Sequence, residues 1–122
     1  MSDNYLDLRI GVVGGTGQIG YPLSEKLLKL GAQVIVISCK RTDKNNDKLE
    51  RLKAHGAELE FCGAYDNVGI LSEIFSEIDT IVMATQDNVN ITENVENEIL
   101  KAARIAGVKR FLPSEFGIDM CL

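Results

Sequence analysis

Apolar positions along this chain switch repeatedly between two spacings. Short runs rich in β-branched residues alternate with longer stretches in which apolar residues recur every three or four positions. Arg9-Ile10-Gly11-Val12-Val13 is a short run ending in glycines and predicts a strand. From Gln18 to Leu30 the residues Ile19, Leu23, Leu27 and Leu30 mark one helical face, with Pro22 in the first turn and Gly31 as the stop. Gln33–Ser38 is β-branched and apolar, which predicts a strand covered on both faces. Lys48–His55 reads as a helix with Leu49 and Leu52 inward and Gly56 as its end. Glu58-Leu59-Glu60-Phe61 alternates polar and apolar, the pattern of an edge strand. Val68–Phe75 reads as a short helix and Thr80–Ala84 as a further buried strand. Asn90 with Glu93 resembles a helix cap, and that helix runs to about Ala106 before Gly107. Lys109–Leu112 is the last strand, closed by Pro113.

Five strands joined by helical crossovers imply an α/β fold of the Rossmann type, a doubly wound parallel sheet in one domain over residues 1–122. The expected strand order is 3-2-1-4-5, which puts the alternating third strand at an edge. Strand 5, with Phe111 and Leu112, is expected to end the sheet as an open apolar edge, before any sixth strand, and so to invite self-association.

Composition narrows the function more than the fold. The chain has 122 residues, 45% hydrophobic and 25% charged, enough apolar material for one core. Its 13 basic and 18 acidic residues give a net charge of −5, which argues against nucleic-acid or anionic-membrane partners. The first residues are polar and do not resemble a signal peptide, and no stretch has the length of a membrane span. Cys39, Cys62 and Cys121 show no CxxC or histidine-partnered spacing, so the reading assigns them no metal or disulfide role and expects a reduced, cytoplasmic setting.

The chemistry lies in Gly14-Gly15-Thr16-Gly17-Gln18-Ile19-Gly20, which directly follows strand 1 and opens helix 1. Glycines in such a turn permit a tight reversal and let backbone N–H groups approach a pyrophosphate, to which the helix N-terminus adds partial positive charge. A dinucleotide is therefore the expected ligand. At the end of strand 2, NAD binders commonly carry an acid for the ribose 2′-hydroxyl, whereas NADP binders carry basic residues. Here the chain reads Ser38-Cys39-Lys40-Arg41-Thr42, with no acid before Asp43. Lys40 and Arg41 can neutralise a 2′-phosphate, Lys44 can reach it, Ser38 or Thr42 can donate a hydrogen bond, and Cys39 can touch the adenosine end. NADP(H) is thus expected ahead of NAD(H). Thr85 and Gln86 follow strand 4, and Ser114, Glu115 and Phe116 follow strand 5. Both loops fall at the carboxyl ends of the strands, as contacts to the nicotinamide side. The sole histidine, His55, sits at a helix C-terminus, where the dipole favours a cation. Tyr21 is followed four positions on by Glu25 and Tyr65 by Gly69, so the Tyr-x-x-x-Lys pair of ordinary short-chain dehydrogenases is absent.

With these residues, above all Lys109-Arg110-Phe111-Leu112-Pro113-Ser114-Glu115-Phe116-Gly117, the chain resembles the N-terminal part of the isoflavone reductase-like family, atypical short-chain dehydrogenases related to NmrA-like proteins. The resemblance runs from about Leu8 to Gly117. It implies NADPH binding and hydride transfer to a small, often aromatic, substrate. It also implies a catalytic lysine and a substrate pocket downstream of Gly117, so the chain is expected to be the cofactor-binding part of a reductase of roughly 300 residues, without catalytic residues of its own. Where the family has arginine straight after strand 2, this chain has Cys39, and Gln18 stands where an aromatic residue is frequent. An NADP(H)-sensing, non-catalytic module of NmrA-like type is the alternative. A sugar-nucleotide epimerase relative shares the glycine turn but not the segment after strand 5.

Overall fold

The computed structural model describes residues 8–63, 67–84, 93–112 and 120–121. Strands β1 (Arg9–Val13), β2 (Gln33–Ser38), β3 (Glu58–Phe61), β4 (Thr80–Met83) and β5 (Arg110–Leu112) alternate with helices α1 (Gly20–Lys29), α2 (Asn46–Ala54), α3 (Val68–Phe75) and α4 (Glu93–Ala106). The five strands are parallel in the order β3-β2-β1-β4-β5. This is the expected Rossmann-type sheet, with the alternating β3 at the edge.

The period of two along β2 shows why the sheet needs helices on both faces. Val34 and Val36 point to one side, where they join Ile10, Val12, Leu49 and Leu52, with Leu23 and Leu27 of α1 packed against them. Ile35 and Ile37 point to the other side and meet Leu71 and Phe75 of α3 and Ile99, Ala102 and Ala103 of α4. Apart from the half-buried Leu23 and Leu27, both sets are almost fully buried. An alternating strand would leave one of these layers without partners, which is why β2 reads as a continuous apolar run. β3, by contrast, leaves Glu58, Glu60 and Phe61 exposed.

Three boundaries differ from expectation. Helix α1 begins at Gly20, because residues 14–19 are spent on the turn, and its first ties are Tyr21 N–H to the Gly17 carbonyl (3.0 Å) and Leu23 N–H to the Ile19 carbonyl (3.1 Å). Helix α2 begins at Asn46, two residues early, because Thr42 and Asn45 brace each other: the Thr42 N–H donates to Asn45 Oδ1 (2.7 Å) and the Asn45 N–H to Thr42 Oγ1 (3.2 Å). The third difference is a correction. Strand β5 is not an open edge: a two-residue strand β6 (Met120–Cys121) pairs antiparallel with it, Arg110 opposite Cys121 and Phe111 opposite Met120. A strand of two residues is too short to show any periodicity, so the pattern gave no sign of it.

Candidate functional site

The carboxyl ends of β1 and β2 meet at the glycine turn. Gly14 takes φ +82°, a left-handed conformation that a side chain would strain, and its N–H donates to the Ile37 carbonyl of β2 (2.9 Å). The Gly17 N–H then closes back on the Gly14 carbonyl (3.1 Å). On the other flank of β1, the Ala84 N–H donates to the Val13 carbonyl (2.8 Å). The turn is therefore fixed to strand ends by backbone bonds alone.

Its other glycines answer to different demands. A Cβ on Gly15 would lie 2.6 Å from Val36 Cγ1, so this position is bare to let the turn sit on β2. A Cβ on Gly20 would run into the Gly14 carbonyl oxygen and stand 2.9 Å from Gly15 Cα, so it is bare to let α1 start tight against the turn. Gly17 is unlike both. Its φ is not positive, and among the described residues a Cβ there would meet only the Gly14 and Ala84 carbonyl oxygens, at 3.5 and 3.7 Å, ordinary contact distances. Nothing among the described residues requires glycine at position 17. Thr16 and Ile19 beside it are half-buried and Gln18 is exposed; Ile19 packs into the α1/α2 layer.

At the tip of β2, Ser38 is 4% exposed and its Oγ has no hydrogen-bond partner among the described residues. A buried hydroxyl without a partner costs on the order of 1–3 kcal/mol. Cys39 beyond it is half-buried, and Lys40, Arg41 and Lys44 are exposed. Arg41 is not directed at open solvent. Its Nη1 donates to Asn46 Oδ1 (2.7 Å) and Glu50 Oε2 (3.0 Å), and its guanidinium lies over the Phe61 ring at 5.8 Å. Among the described residues Lys40 and Lys44 have no ion pair. The Asn45 amide donates to the Lys40 carbonyl (3.0 Å) and so shapes the loop carrying all three cations.

The cation that reaches the glycine turn was not singled out from the sequence. Lys48, in the first turn of α2, donates from Nζ to the Thr16 carbonyl (3.0 Å) and lies over the Tyr21 ring at 5.5 Å. Its position in an amphipathic helix beside Leu49 marked only a core-flanking residue. No motif spacing links it to a turn 32 positions earlier. The structure thus brings together the turn, Ser38 and Lys48, while Arg41 is drawn toward α2 and β3. His55 sits at the end of α2 with Nδ1 2.8 Å from the Arg51 carbonyl, away from the turn. Thr85, Gln86, Ser114, Glu115 and Phe116 lie outside the described residues. Among the described residues no cluster suits a metal ion, and no helix is long and apolar enough to cross a membrane.

The fit to a dinucleotide rests on the bare Gly17, the orphaned Ser38 hydroxyl and the cations around them. Comparison with known proteins points the same way. The chain is 36% identical over 116 residues to the isoflavone reductase homolog A622 of Nicotiana tabacum, covering 92% of this chain and 36% of the relative. It is 35% identical over 117 residues to phenylcoumaran benzylic ether reductase PT1 of Pinus taeda, covering 92% and 37%. A solved structure of AtPrR2 with NADP+ and (+)pinoresinol superposes with a TM-score of 0.73 at 32% identity, over 89% of this chain and 36% of that one. The chain thus spans little more than a third of the length of the relatives it matches. The model of the NmrA-like family matches residues 7–121. With that match over nearly its whole length, the chain belongs to the NmrA-like family.

Proposed function

We propose that this chain is the NADP(H)-binding part of an oxidoreductase that transfers hydride to a small, aromatic substrate. The observation that carries the reading is Gly17, a turn position that the described residues leave tolerant of a side chain. A ligand lying against the backbone supplies the missing reason for glycine there. The relatives named as reductases, and the NADP+ in the structure of AtPrR2, support the same reading.

Here the N–H groups of Gly15 and Thr16 and the start of α1 face the pyrophosphate, while the Gly17 N–H is turned back on the Gly14 carbonyl. Ser38, at the tip of β2, donates to the adenosine ribose or its 2′-phosphate. Lys40, Lys44 and Lys48 supply the positive charge, and Cys39 lines the adenosine end. Arg41, tied to Glu50, contributes its field and joins the phosphate directly only if that pair opens. Thr85, Gln86, Ser114, Glu115 and Phe116 remain the proposed contacts on the nicotinamide side. Bound in this way, NADPH would supply the hydride. The described residues orient it, and substrate-handling groups belong to other parts of the molecule.

The test is a pair of titrations. NADPH is expected to bind more tightly than NADH, and neutralising Lys40 and Lys44 to remove most of the difference, about 1.5–3 kcal/mol for a charged hydrogen bond, whereas Lys48→Met, at the glycine turn, is expected to weaken both cofactors alike. Arg41→Met is expected to remove less. Equal affinity of the parent protein for both cofactors would refute the NADP assignment.

A further inference from the structure

We propose that Cys39 and Cys62 form a reversible dithiol–disulfide pair that controls the loop carrying Lys40, Arg41 and Lys44. The pair is far apart in sequence and adjacent in the sheet. Strands β2 and β3 run parallel, with Ser38 opposite Phe61 as the last assigned pair. The ladder continues one step further: the Cys62 N–H donates to the Ser38 carbonyl and the Gly63 N–H to the Cys39 carbonyl, both at 3.0 Å. Cys39 therefore stands opposite Cys62. Alternation puts both side chains on the face of Ile35 and Ile37, and packing agrees, since Cys62 is part of the α3/α4 apolar layer and Cys39 packs against that layer. Among the described residues neither forms a disulfide, and the Cys62 thiol donates to the Ser38 and Gly63 carbonyls, both at 3.6 Å. Neighbouring strands lie about 4.8 Å apart, and disulfides span Cα separations of roughly 4.4–6.8 Å.

The two thiols differ in access. Cys39 is half-buried, whereas Cys62 is 6% exposed. Cys39 is thus the attacking thiol and Cys62 the resolving one. The co-reactant is a small-molecule disulfide such as oxidised glutathione. Cys39 loses its proton, and the thiolate attacks one sulfur of that disulfide, forming a mixed disulfide and releasing one small thiolate, which takes up a proton. Cys62 Sγ then attacks Cys39 Sγ, the second small thiol leaves with the Cys62 proton, and the Cys39–Cys62 bond remains. Two protein thiols are oxidised and one small disulfide is reduced to two thiols.

The consequence for the loop follows from its anchors. A disulfide draws Cβ atoms to about 3.8 Å, closer than open sheet pairing holds them, so the tips of β2 and β3 must turn toward each other. Lys40 follows Cys39 directly, and its carbonyl is held by Asn45. Turning Cys39 therefore displaces the 40–45 loop. This consequence, though not the pair itself, rests on the cofactor reading above. It makes the reduced form the tighter binder of NADPH.

The experiment equilibrates the purified protein with graded ratios of reduced to oxidised glutathione, then quenches, alkylates and digests it for mass spectrometry. A Cys39–Cys62 linked peptide is expected, lost again on reduction. NADPH affinity is expected to fall about tenfold in the oxidised form, within the usual range of coupling between sites, and NADPH to oppose oxidation by the same factor. In Cys62→Ala, Cys39 is expected to stop at the glutathione adduct. Should that variant not fold, the linked peptide of the parent protein decides. Absence of that peptide at every ratio, or its replacement by a link to Cys121 or between two chains, overturns the pair. Equal NADPH affinity of the two forms overturns control of the loop. Failure of both forms to bind NADPH would instead count against the cofactor reading, with the linked peptide still deciding on the pair.

Discussion

Gly17 and Gly20 sit three residues apart in one turn, and the structure separates what each is for. A methyl on Gly20 meets backbone only: the Gly14 carbonyl oxygen and carbon, and Gly15 Cα. No flexible side-chain end can move aside, so α1 must shift away from the turn. Overpacking of this kind costs about 1–3 kcal/mol, and at about 4 °C per kcal/mol for a domain of this size that is roughly 4–12 °C of Tm. A methyl on Gly17 meets two carbonyl oxygens at 3.5 and 3.7 Å and needs no positive φ. Replacing glycine by alanine at a compatible position removes unfolded-state entropy and stabilises by about 0.4–1 kcal/mol. Gly17→Ala is therefore expected to melt at or slightly above the parent, and Gly20→Ala well below it.

Cofactor affinity is expected to divide differently. If a pyrophosphate lies against the backbone at Gly17, a methyl there pushes it out of reach of at least one charge-assisted N–H contact. Such a contact is worth about 1.5–3 kcal/mol, or about 10- to 100-fold in affinity. Circular dichroism melts give the stabilities, and calorimetric titration with NADPH gives the affinities. The reasoning fails if Gly17→Ala binds NADPH as the parent does, because glycine at 17 would then have neither a structural nor a ligand reason. It also fails if Gly17→Ala melts far below the parent, because the fold would then be what demands the glycine.

Two further predictions test the frame that holds the turn. Asn67 caps α3 by accepting the Ile70 N–H at Oδ1 (3.0 Å), so Asn67→Ala should cost about 1 kcal/mol in a denaturant melt and leave NADPH affinity unchanged. A loss of affinity there would mean that α3 communicates with the turn. Phe75 is fully buried between α3 and the sheet, so Phe75→Ala should destabilise by about 3–5 kcal/mol. A loss under 1 kcal/mol by the same melt would mean that the α3 layer is not the packed core described above.

The fold was legible because its signals are local. The continuous apolar run of β2, the alternation of β3 and the stops at Gly31, Gly56 and Gly107 each report a backbone state within a few residues, and these glycines do adopt φ of +92°, +105° and +81°. The glycine turn was legible for the same reason, because residues 14–20 form one local strand-to-helix turn. What the sequence hid depends on side-chain contacts and strand register that exist only once the elements pack. Arg41 reads as a phosphate ligand beside Lys40, but Asn46 and Glu50, five and nine residues on and one helical turn apart, both accept from it once α2 forms. Lys48 has no role that the sequence assigns, and only the packing of α1 on α2 brings Tyr21 and the Thr16 carbonyl beneath it. Cys39 and Cys62 show no spacing rule because parallel register, not sequence distance, puts them opposite each other. Nearness in sequence to the end of β2 is thus a weak guide to which cation touches the glycine turn. Helix α2 starts at Asn46 because Thr42 and Asn45 brace the loop, and that start fixes the phase that turns Lys48 inward and Arg41 aside. Disrupting the brace with Asn45→Ala should therefore alter cofactor preference without touching a proposed ligand.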